Sequence, residues 1–172
     1  MSENIIEFIG HHGTLNSCCK NIRKNNFTES PSGWLGRGVY FFHDDKELAI
    51  NWAIYKRGAS SGKIEVLECK IRTLHDKVLD IVDPKSEQSK RVNRVKEEFL
   101  QASLKNDKII NIEDRFLDGK ILDIVCKKEN YLLVRNSTHT LTSNERKSKI
   151  VYSSIDNGVE LCVKDIDIIC FT

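Results

Sequence analysis

Three short segments of the 172-residue chain carry side chains that can do chemistry. The first is His11–Thr14, with the sequence His-His-Gly-Thr; the second is Gly36–Phe41, with the sequence Gly-Arg-Gly-Val-Tyr-Phe. The third is Glu160, an acid within an otherwise apolar strand candidate near the C-terminus. Together they offer an imidazole, an aromatic ring and a carboxylate, which can hydrogen-bond a ligand, stack on a flat ring and stabilise positive charge.

The order of these segments resembles the ADP-ribosyltransferase superfamily. The likeness is to its diphtheria-toxin and poly(ADP-ribose) polymerase branch, in which His-Gly-Ser or His-Gly-Thr, Gly-Lys-Gly-Ile-Tyr-Phe and a late glutamate that opens a strand form a His-Tyr-Glu triad. It covers the first ~60 and the last ~20 residues. The resemblance implies that His12, Tyr40 and Glu160 are the catalytic residues and that NAD is the co-substrate.

The chemistry that the resemblance implies is cleavage of the bond between nicotinamide and ribose. This step forms an oxocarbenium-like centre, so catalysis consists mainly of positioning and charge stabilisation. By the resemblance Glu160 supplies the stabilising carboxylate, as the second carboxylate does in glycosidases. His12 is expected to hydrogen-bond the ribose hydroxyls.

The remaining NAD contacts are also implied by the resemblance. Tyr40 and Trp52 are expected to sandwich the nicotinamide ring, which is flat and electron-poor. The backbone of Gly13 is expected to bind the carboxamide, because glycine permits a close backbone approach. Thr14 is expected to support the adenosine side, and Arg37 is a candidate for steering a phosphate or the acceptor.

Two positions depart from the family pattern. Ala49 stands where the polymerase branch often has a serine that contacts the carboxamide. Gly158 stands two residues before the glutamate, where arginine-modifying relatives have an acidic or amide residue and pierisin-like nucleic-acid modifiers have glutamine. Gly158 therefore disfavours arginine as the acceptor and does not support the pierisin-like mode.

Structural explanations stand beside the functional ones. Tyr40 and Trp52 fit the apolar faces of their elements and can be core aromatics. Glu160 can be a solvated residue of an edge strand, and Arg37 a solvated loop residue. His11 is interpreted as structural.

No metal site is predicted. The nearest approach to a set of metal ligands is the group His11, His12, Cys18 and Cys19. Adjacent pairs lack the gaps of two to four residues that let both ligands turn inward.

The elements that must position these residues form an α+β pattern. Helices are predicted early and in the middle of the chain and strands late, which favours antiparallel pairing. The resemblance implies an ADP-ribosyltransferase-like fold, with split β-sheets around an NAD cleft and flanking helices. Residues 1–172 are predicted to form one such domain, in which 73–148 match nothing in the family and are interpreted as a family-specific insertion or substrate region.

The predicted elements have the following bounds. Strands are expected at 5–9, 39–42, 64–71, 78–82, 131–135, 149–153, 159–163 and 166–171. Helices are expected at 15–23, with Thr14 as the N-cap, after Asp44 or Asp45, at 86–105 and at 116–128.

Composition places the chain among soluble globular proteins. It is 40% hydrophobic and 30% charged, with a net charge of +2, and no apolar run approaches the ~20 residues that span a bilayer. A pI of about 8.2 falls short of the basic footprint of a duplex-DNA binder. The N-terminus does not resemble a signal peptide and the six cysteines form no CxxC pair, so a cytoplasmic location without a membrane partner is expected.

The predicted function is that of a mono-ADP-ribosyltransferase of a toxin–antitoxin or phage-defence type. The acceptor is a macromolecule, either a protein or a nucleic acid such as mRNA, and a neutralising antitoxin is the expected partner. Two alternatives stay open: an NAD glycohydrolase, and a non-catalytic module that binds NAD, ADP-ribose or a protein. The basic triad of RNA 2′-phosphotransferases is not found.

Overall fold

Seven β-strands form one open, mixed sheet in the computed structural model, which describes residues 4–58, 60–105, 117–141 and 155–172. The strands are β1 (Ile5–Leu15), β2 (Val39–His43), β3 (Ile64–Leu74), β4 (Val78–Asp80), β5 (Leu133–Thr138), β6 (Gly158–Val163) and β7 (Ile169–Phe171). Their order across the sheet is β4-β5-β6-β2-β1-β3-β7. Only β4 and β5 pair in parallel among these strands, so the predicted α+β class is confirmed.

Four α-helices accompany the sheet within the described ranges. They are α1 (Asn16–Asn25), α2 (Lys46–Arg57), α3 (Glu87–Lys105) and α4 (Leu117–Glu129). None of these helices is long and apolar enough to cross a membrane.

The first strand is longer than its sequence predicts. β1 continues past Ile9 because all eleven of its residues pair with β3, up to the Leu15–Ile64 pair. The predicted strand end and the predicted N-cap at Thr14 are therefore wrong: Thr14 is buried inside β1, and Leu15 occupies the cap position without a side-chain cap bond. The cross-strand ladder overrides the local signals of Gly10 and Thr14.

The pairing between β1 and β2 stops early. Within the described residues they share two register pairs, Gly10 with His43 and His11 with Phe42. From His12 onward β1 stays with β3, whereas the rest of β2 pairs with β6. The seven strands thus form one sheet, in which the second half of β1 does not pair with β2. This unpaired region between β1 and β2 is here named the gap.

The stretch 73–148 contributes to the sheet itself. It contains β4 and β5, and β5 pairs with β6 along its whole length. It also contains α3 and α4, which pack over one face of the sheet through buried residues such as Val95, Ile121 and Val125. The predicted strand at 149–153 lies outside the described residues, and residues 166–168 form a 3-10 turn before β7 rather than a strand.

Helix α2 is fixed closely against β1. Its start is capped as predicted, by Asp45, whose Oδ1 accepts from the Leu48 N–H at 2.7 Å. A Cβ atom added at Gly13 would lie 2.1 Å from the carbonyl oxygen of Ala49 and 3.1 Å from the Cβ of Ala53. Glycine is therefore required where α2 crosses the strand.

Gly13→Ala is expected to lower the free energy of unfolding by about 2–3 kcal/mol, because α2 must shift away from β1. Gly62→Ala is the matched control, since nothing lies within 4 Å of the added Cβ there. Urea unfolding of both variants measures the difference. Equal stability of the two variants would contradict the close packing of α2.

Candidate active site

Glu160 is a buried acid in the middle of β6. It lies in register with Phe42 of β2 on one side and Asn136 of β5 on the other, and it is 8% exposed. Both carboxylate oxygens have donors: the indole Nε1 of Trp34 donates to Oε2 at 2.6 Å, and the Thr140 hydroxyl donates to Oε1 at 3.2 Å. The interpretation of Glu160 as a solvated edge residue is therefore wrong.

Burial and hydrogen bonding act on the Glu160 carboxyl in opposite directions. Burial disfavours the charged form and raises its pKa to about 7, while hydrogen bonds from Trp34, Thr140 and Thr138 oppose this rise. Near neutral pH both protonation states are populated. Perturbed carboxyl groups of this kind are concentrated at functional sites.

Two hydrogen bonds join the segment after β5 to the residue that precedes β6. The backbone N–H of Thr140 donates to the Asn157 side-chain oxygen at 2.8 Å, and the Asn157 amide donates back to the Thr140 carbonyl at 2.8 Å. This reciprocal pair holds the Thr140 hydroxyl next to Glu160. Sequence reasoning missed Thr140, although two threonines spaced by two residues, Thr138 and Thr140, are the signal of one polar strand face.

His12 bridges β1 and β2 where their backbone pairing has stopped. Its Nδ1 lies 2.8 Å from the Tyr40 carbonyl oxygen. A carbonyl only accepts, so Nδ1 carries the proton. Burial lowers the pKa of His12 despite this hydrogen bond and the imidazole is neutral, which leaves Nε2 as an acceptor. The ring packs edge-on against Phe27 and Phe41.

Gly13 directs its backbone toward the same gap. In an antiparallel ladder, alternate residues point their N–H and C=O groups to the same neighbour. The Ile9 carbonyl accepts from Asp44 at the end of β2, so the alternation points the backbone groups of Gly13 to the β2 side as well. The described β1–β2 pairing ends at His11 and leaves this donor and acceptor facing the gap.

Tyr40 anchors the loop that precedes its own strand. Its hydroxyl donates to the Gly36 carbonyl at 2.6 Å and accepts from the Leu35 N–H at 3.1 Å. Burial is the largest cause that raises the pKa of Tyr40 far above its ordinary value, so the phenol is neutral. The side chain is half-buried against the cluster that includes Leu35 and Cys162.

The loop 33–38 is also fixed from β6 and α4. The Lys164 ammonium donates to the Leu35 carbonyl at 2.6 Å, the Arg37 carbonyl at 2.8 Å and the Asp123 carboxylate at 2.8 Å. Asp123 accepts in turn from the Arg37 backbone N–H. A Cβ at Gly36, whose φ is 88°, would lie 2.1 Å from Asp123. Sequence reasoning missed Lys164 and Asp123, which have no local motif.

Trp52 lies on α2 beside a second aromatic ring. It stacks on Tyr55 with a centroid distance of 5.6 Å, and the Lys56 ammonium lies 5.8 Å from its ring centroid. Ala49, one turn earlier, is fully buried. No ring contact joins Trp52 to Tyr40 in the described structure, and their sandwich around a nicotinamide ring stays a prediction.

Three other residues that the sequence singled out have defined partners or are buried. The Arg37 guanidinium is exposed and donates to Glu29 at 2.5 Å. Thr14 is 3% exposed. His11 is buried with its Nε2 3.3 Å from Glu68, and its Nδ1 has no hydrogen-bond partner among the described residues.

The three residues of the predicted triad lie on three adjacent strands, but not on one face of the sheet. β2 lies between β1 and β6, so Tyr40 stands between His12 and Glu160 in the sheet. His12 contacts Phe41, whereas Glu160 is opposite Phe42, so the two side chains approach β2 on opposite faces. Within the described ranges no group of three or more His, Cys, Asp and Glu residues is placed to hold a metal ion.

Comparisons with protein-family models, with curated proteins and with solved structures find no match to this chain.

Glu160→Gln is expected to remove a pH dependence of stability. The folded-state pKa of about 7 lies above the ordinary glutamate value of 4.5. The native state therefore holds a proton that the unfolded state releases between these values, and wild-type stability falls as pH rises from about 4.5 to 7. The full difference is about 3 kcal/mol.

Thermal unfolding of wild type and Glu160→Gln at pH 5 and pH 8 tests this expectation. At pH 8 the variant is expected to gain stability relative to wild type. A change of 1 kcal/mol in the free energy of unfolding corresponds to a shift of about 2–4 °C in Tm for a chain of this size. A difference in Tm that is the same at both pH values contradicts the assignment of the shifted group to Glu160.

Tyr40→Phe is expected to loosen the loop 33–38, because the Leu35 N–H and the Gly36 carbonyl lose their partner at a cost of about 1–3 kcal/mol. Arg37 is exposed in this loop, so cleavage by trypsin after Arg37 reports its opening. Tyr131→Phe is the control, since the Tyr131 hydroxyl makes only a 3.5 Å contact with Glu129. Cleavage at equal rates in the two variants counts against the anchoring role.

Proposed function

We propose that the protein is an NAD-dependent mono-ADP-ribosyltransferase in which His12, Tyr40 and Glu160 form the catalytic site. The observation that carries the proposal is the placement of these residues on adjacent strands, although up to 148 positions separate them in the sequence. Tyr40 and Glu160 share one face of the sheet, and His12 borders the gap between β1 and β2 from the other face. One of them is a buried carboxyl that ionises near neutral pH.

The reaction breaks the bond between C1′ of the ribose and the nicotinamide nitrogen. Nicotinamide leaves with the electron pair of that bond, and positive charge develops on the ribose. The ionised Glu160 stabilises this charge, which requires the carboxyl to be deprotonated. A nucleophile of the acceptor then attacks C1′ and loses its proton, so the products are nicotinamide, the ADP-ribosylated acceptor and a proton.

The gap offers matching contacts to NAD. A carboxamide has one acceptor and one donor group, which the backbone N–H and C=O of Gly13 complement. Nε2 of the neutral His12 accepts from a ribose hydroxyl. Tyr40 and Trp52 supply the aromatic surfaces that suit the nicotinamide ring.

Access to Glu160 requires the Trp34 indole to move. Both oxygens of the carboxylate already accept hydrogen bonds, and the residue is almost fully buried. A ribose hydroxyl therefore replaces the Trp34 N–H as the donor when NAD binds. The loop 33–38 carries the indole that covers this carboxyl.

The biological role that we propose follows from the resemblance to small toxins. The protein is a cytoplasmic toxin or phage-defence effector that modifies a macromolecule, and an antitoxin is its partner. The described α3 and α4 form part of the framework around Tyr40, so they are not available as a detachable regulatory unit.

The test is transfer of label from NAD with a tagged adenine into cell lysate, together with nicotinamide release. Wild type is expected to give both, and Glu160→Gln to lose at least about 100-fold in each, as removal of one charge-stabilising group does elsewhere. Glu97→Gln, an exposed change on α3, is the control. Treatment with protease and with nuclease identifies the labelled class.

The products separate the transferase from its alternatives. Nicotinamide release without macromolecular label indicates an NAD glycohydrolase with water as the acceptor. Neither product, together with no rise in Tm on addition of NAD, indicates a module that does not use NAD. Full activity of Glu160→Gln contradicts the catalytic assignment.

A further inference from the structure

Positive charge is concentrated in two stretches of the chain. Residues 8–28 and 48–64 contain six lysines and arginines and no aspartate or glutamate. Since the whole chain has a net charge of +2, the remainder is net negative. The six residues, all of them exposed, are here named the basic rim: Lys20, Arg23, Lys24, Lys56, Arg57 and Lys63.

The fold brings the two stretches together at one end of the sheet. Leu15, the last residue of β1, pairs with Ile64, the first residue of β3. Helix α1 follows Leu15 directly, and Lys63 precedes Ile64. Arg23 of α1 donates to Glu65 of β3 at 2.5 Å, which places this helix beside the start of β3.

Helix α2 brings its last turn to the same region. It crosses β1 at Gly13 and ends with Lys56 and Arg57. Burial is the largest cause that lowers the pKa of His12, and the positive charge of Arg57 adds to it. The basic rim therefore borders the gap where NAD is proposed to bind.

Aromatic rings accompany these cations. Trp52 and Tyr55 are half-buried and stacked on each other, with Lys56 over the Trp52 ring. Surfaces that bind single-stranded nucleic acid combine cations along the backbone path with rings on which bases stack. Two acidic groups among the described residues at this end have partners: Glu65 is paired with Arg23, and Glu68 faces His11.

Gly158, two residues before Glu160, carries no side chain that could contact an acceptor. A Cβ at Gly158 would lie 2.3 Å from Cδ2 of Leu48. The basic rim is a charged surface that can contact an acceptor instead.

We propose that the basic rim binds a single-stranded polynucleotide and that nucleic acid, rather than protein, is the acceptor of ADP-ribose. The acceptor role rests on the proposed function, whereas the binding rests on charge and aromatic surface alone. Phosphates pair with the rim, and a base next to them is presented to C1′ of the ribose.

Binding is tested with fluorescently labelled 20-mers of uridine and of deoxythymidine, by anisotropy over a series of salt concentrations. The test variant is Lys56→Glu with Arg57→Glu, in the last turn of α2. The control is Lys127→Glu with Lys128→Glu, in the last turn of α4, which changes the net charge equally and is also exposed.

The affinity of the α2 variant is expected to fall by at least about tenfold. Its slope of log K against log salt is expected to be less steep by about 1.4, since each of the two lost phosphate contacts contributes roughly 0.7 on single strands. The control keeps the wild-type slope. RNA and DNA probes distinguish the two kinds of strand. Equal losses in the two variants, or no binding by wild type at low salt, overturn the proposal.

Label transfer from NAD to the same 20-mers and to lysate protein separates this inference from the proposed function. Label on the oligonucleotide that is lost in the α2 variant supports the acceptor role. Label confined to protein overturns it and leaves the transferase intact. Absence of any label and of nicotinamide release overturns the proposed function, while the anisotropy result still decides binding.

Discussion

Strand β1 has two neighbours in the sheet and pairs fully with only one of them. The eleven pairs with β3 fix its length and register, while the two pairs with β2 leave its second half free on that side. Because of this asymmetry, the imidazole of His12 and the backbone of Gly13 border the gap. Helix α2 packs closely on Gly13 next to this gap. The candidate site therefore depends on how one strand divides its hydrogen bonds.

The charge environment of the site is set by competition between burial and local donors. Glu160 loses water and gains the Trp34 and Thr140 hydrogen bonds in return. Unpaired burial of a carboxylate costs far more than such hydrogen bonds restore, which is why the proton is retained to near pH 7. Tyr40 holds the loop that brings Trp34 to this acid, so the three side chains form one connected arrangement.

Local patterns predicted most of the elements, because helix caps and apolar spacing act within a few residues. Asp45 at the start of α2 and the stripe along α3 are of this kind. The length of β1 was not predictable, since it depends on a partner about 50 residues away. Lys164 and Asp123 escaped notice for the same reason: their contacts with the loop exist only after β6 and α4 are in place. The proposed triad rests on motif order, and the burial of Glu160 could not be predicted from that order.

Both tryptophans of the chain belong to elements around the proposed cleft. Trp34 donates to the carboxyl that titrates near pH 7, and Trp52 stacks on Tyr55 at the margin of the basic rim. Elsewhere the sequence has no indole. The tryptophan fluorescence of the unlabelled protein, excited at a wavelength that tyrosine does not absorb, is therefore a local optical signal that reports the surroundings of this one region.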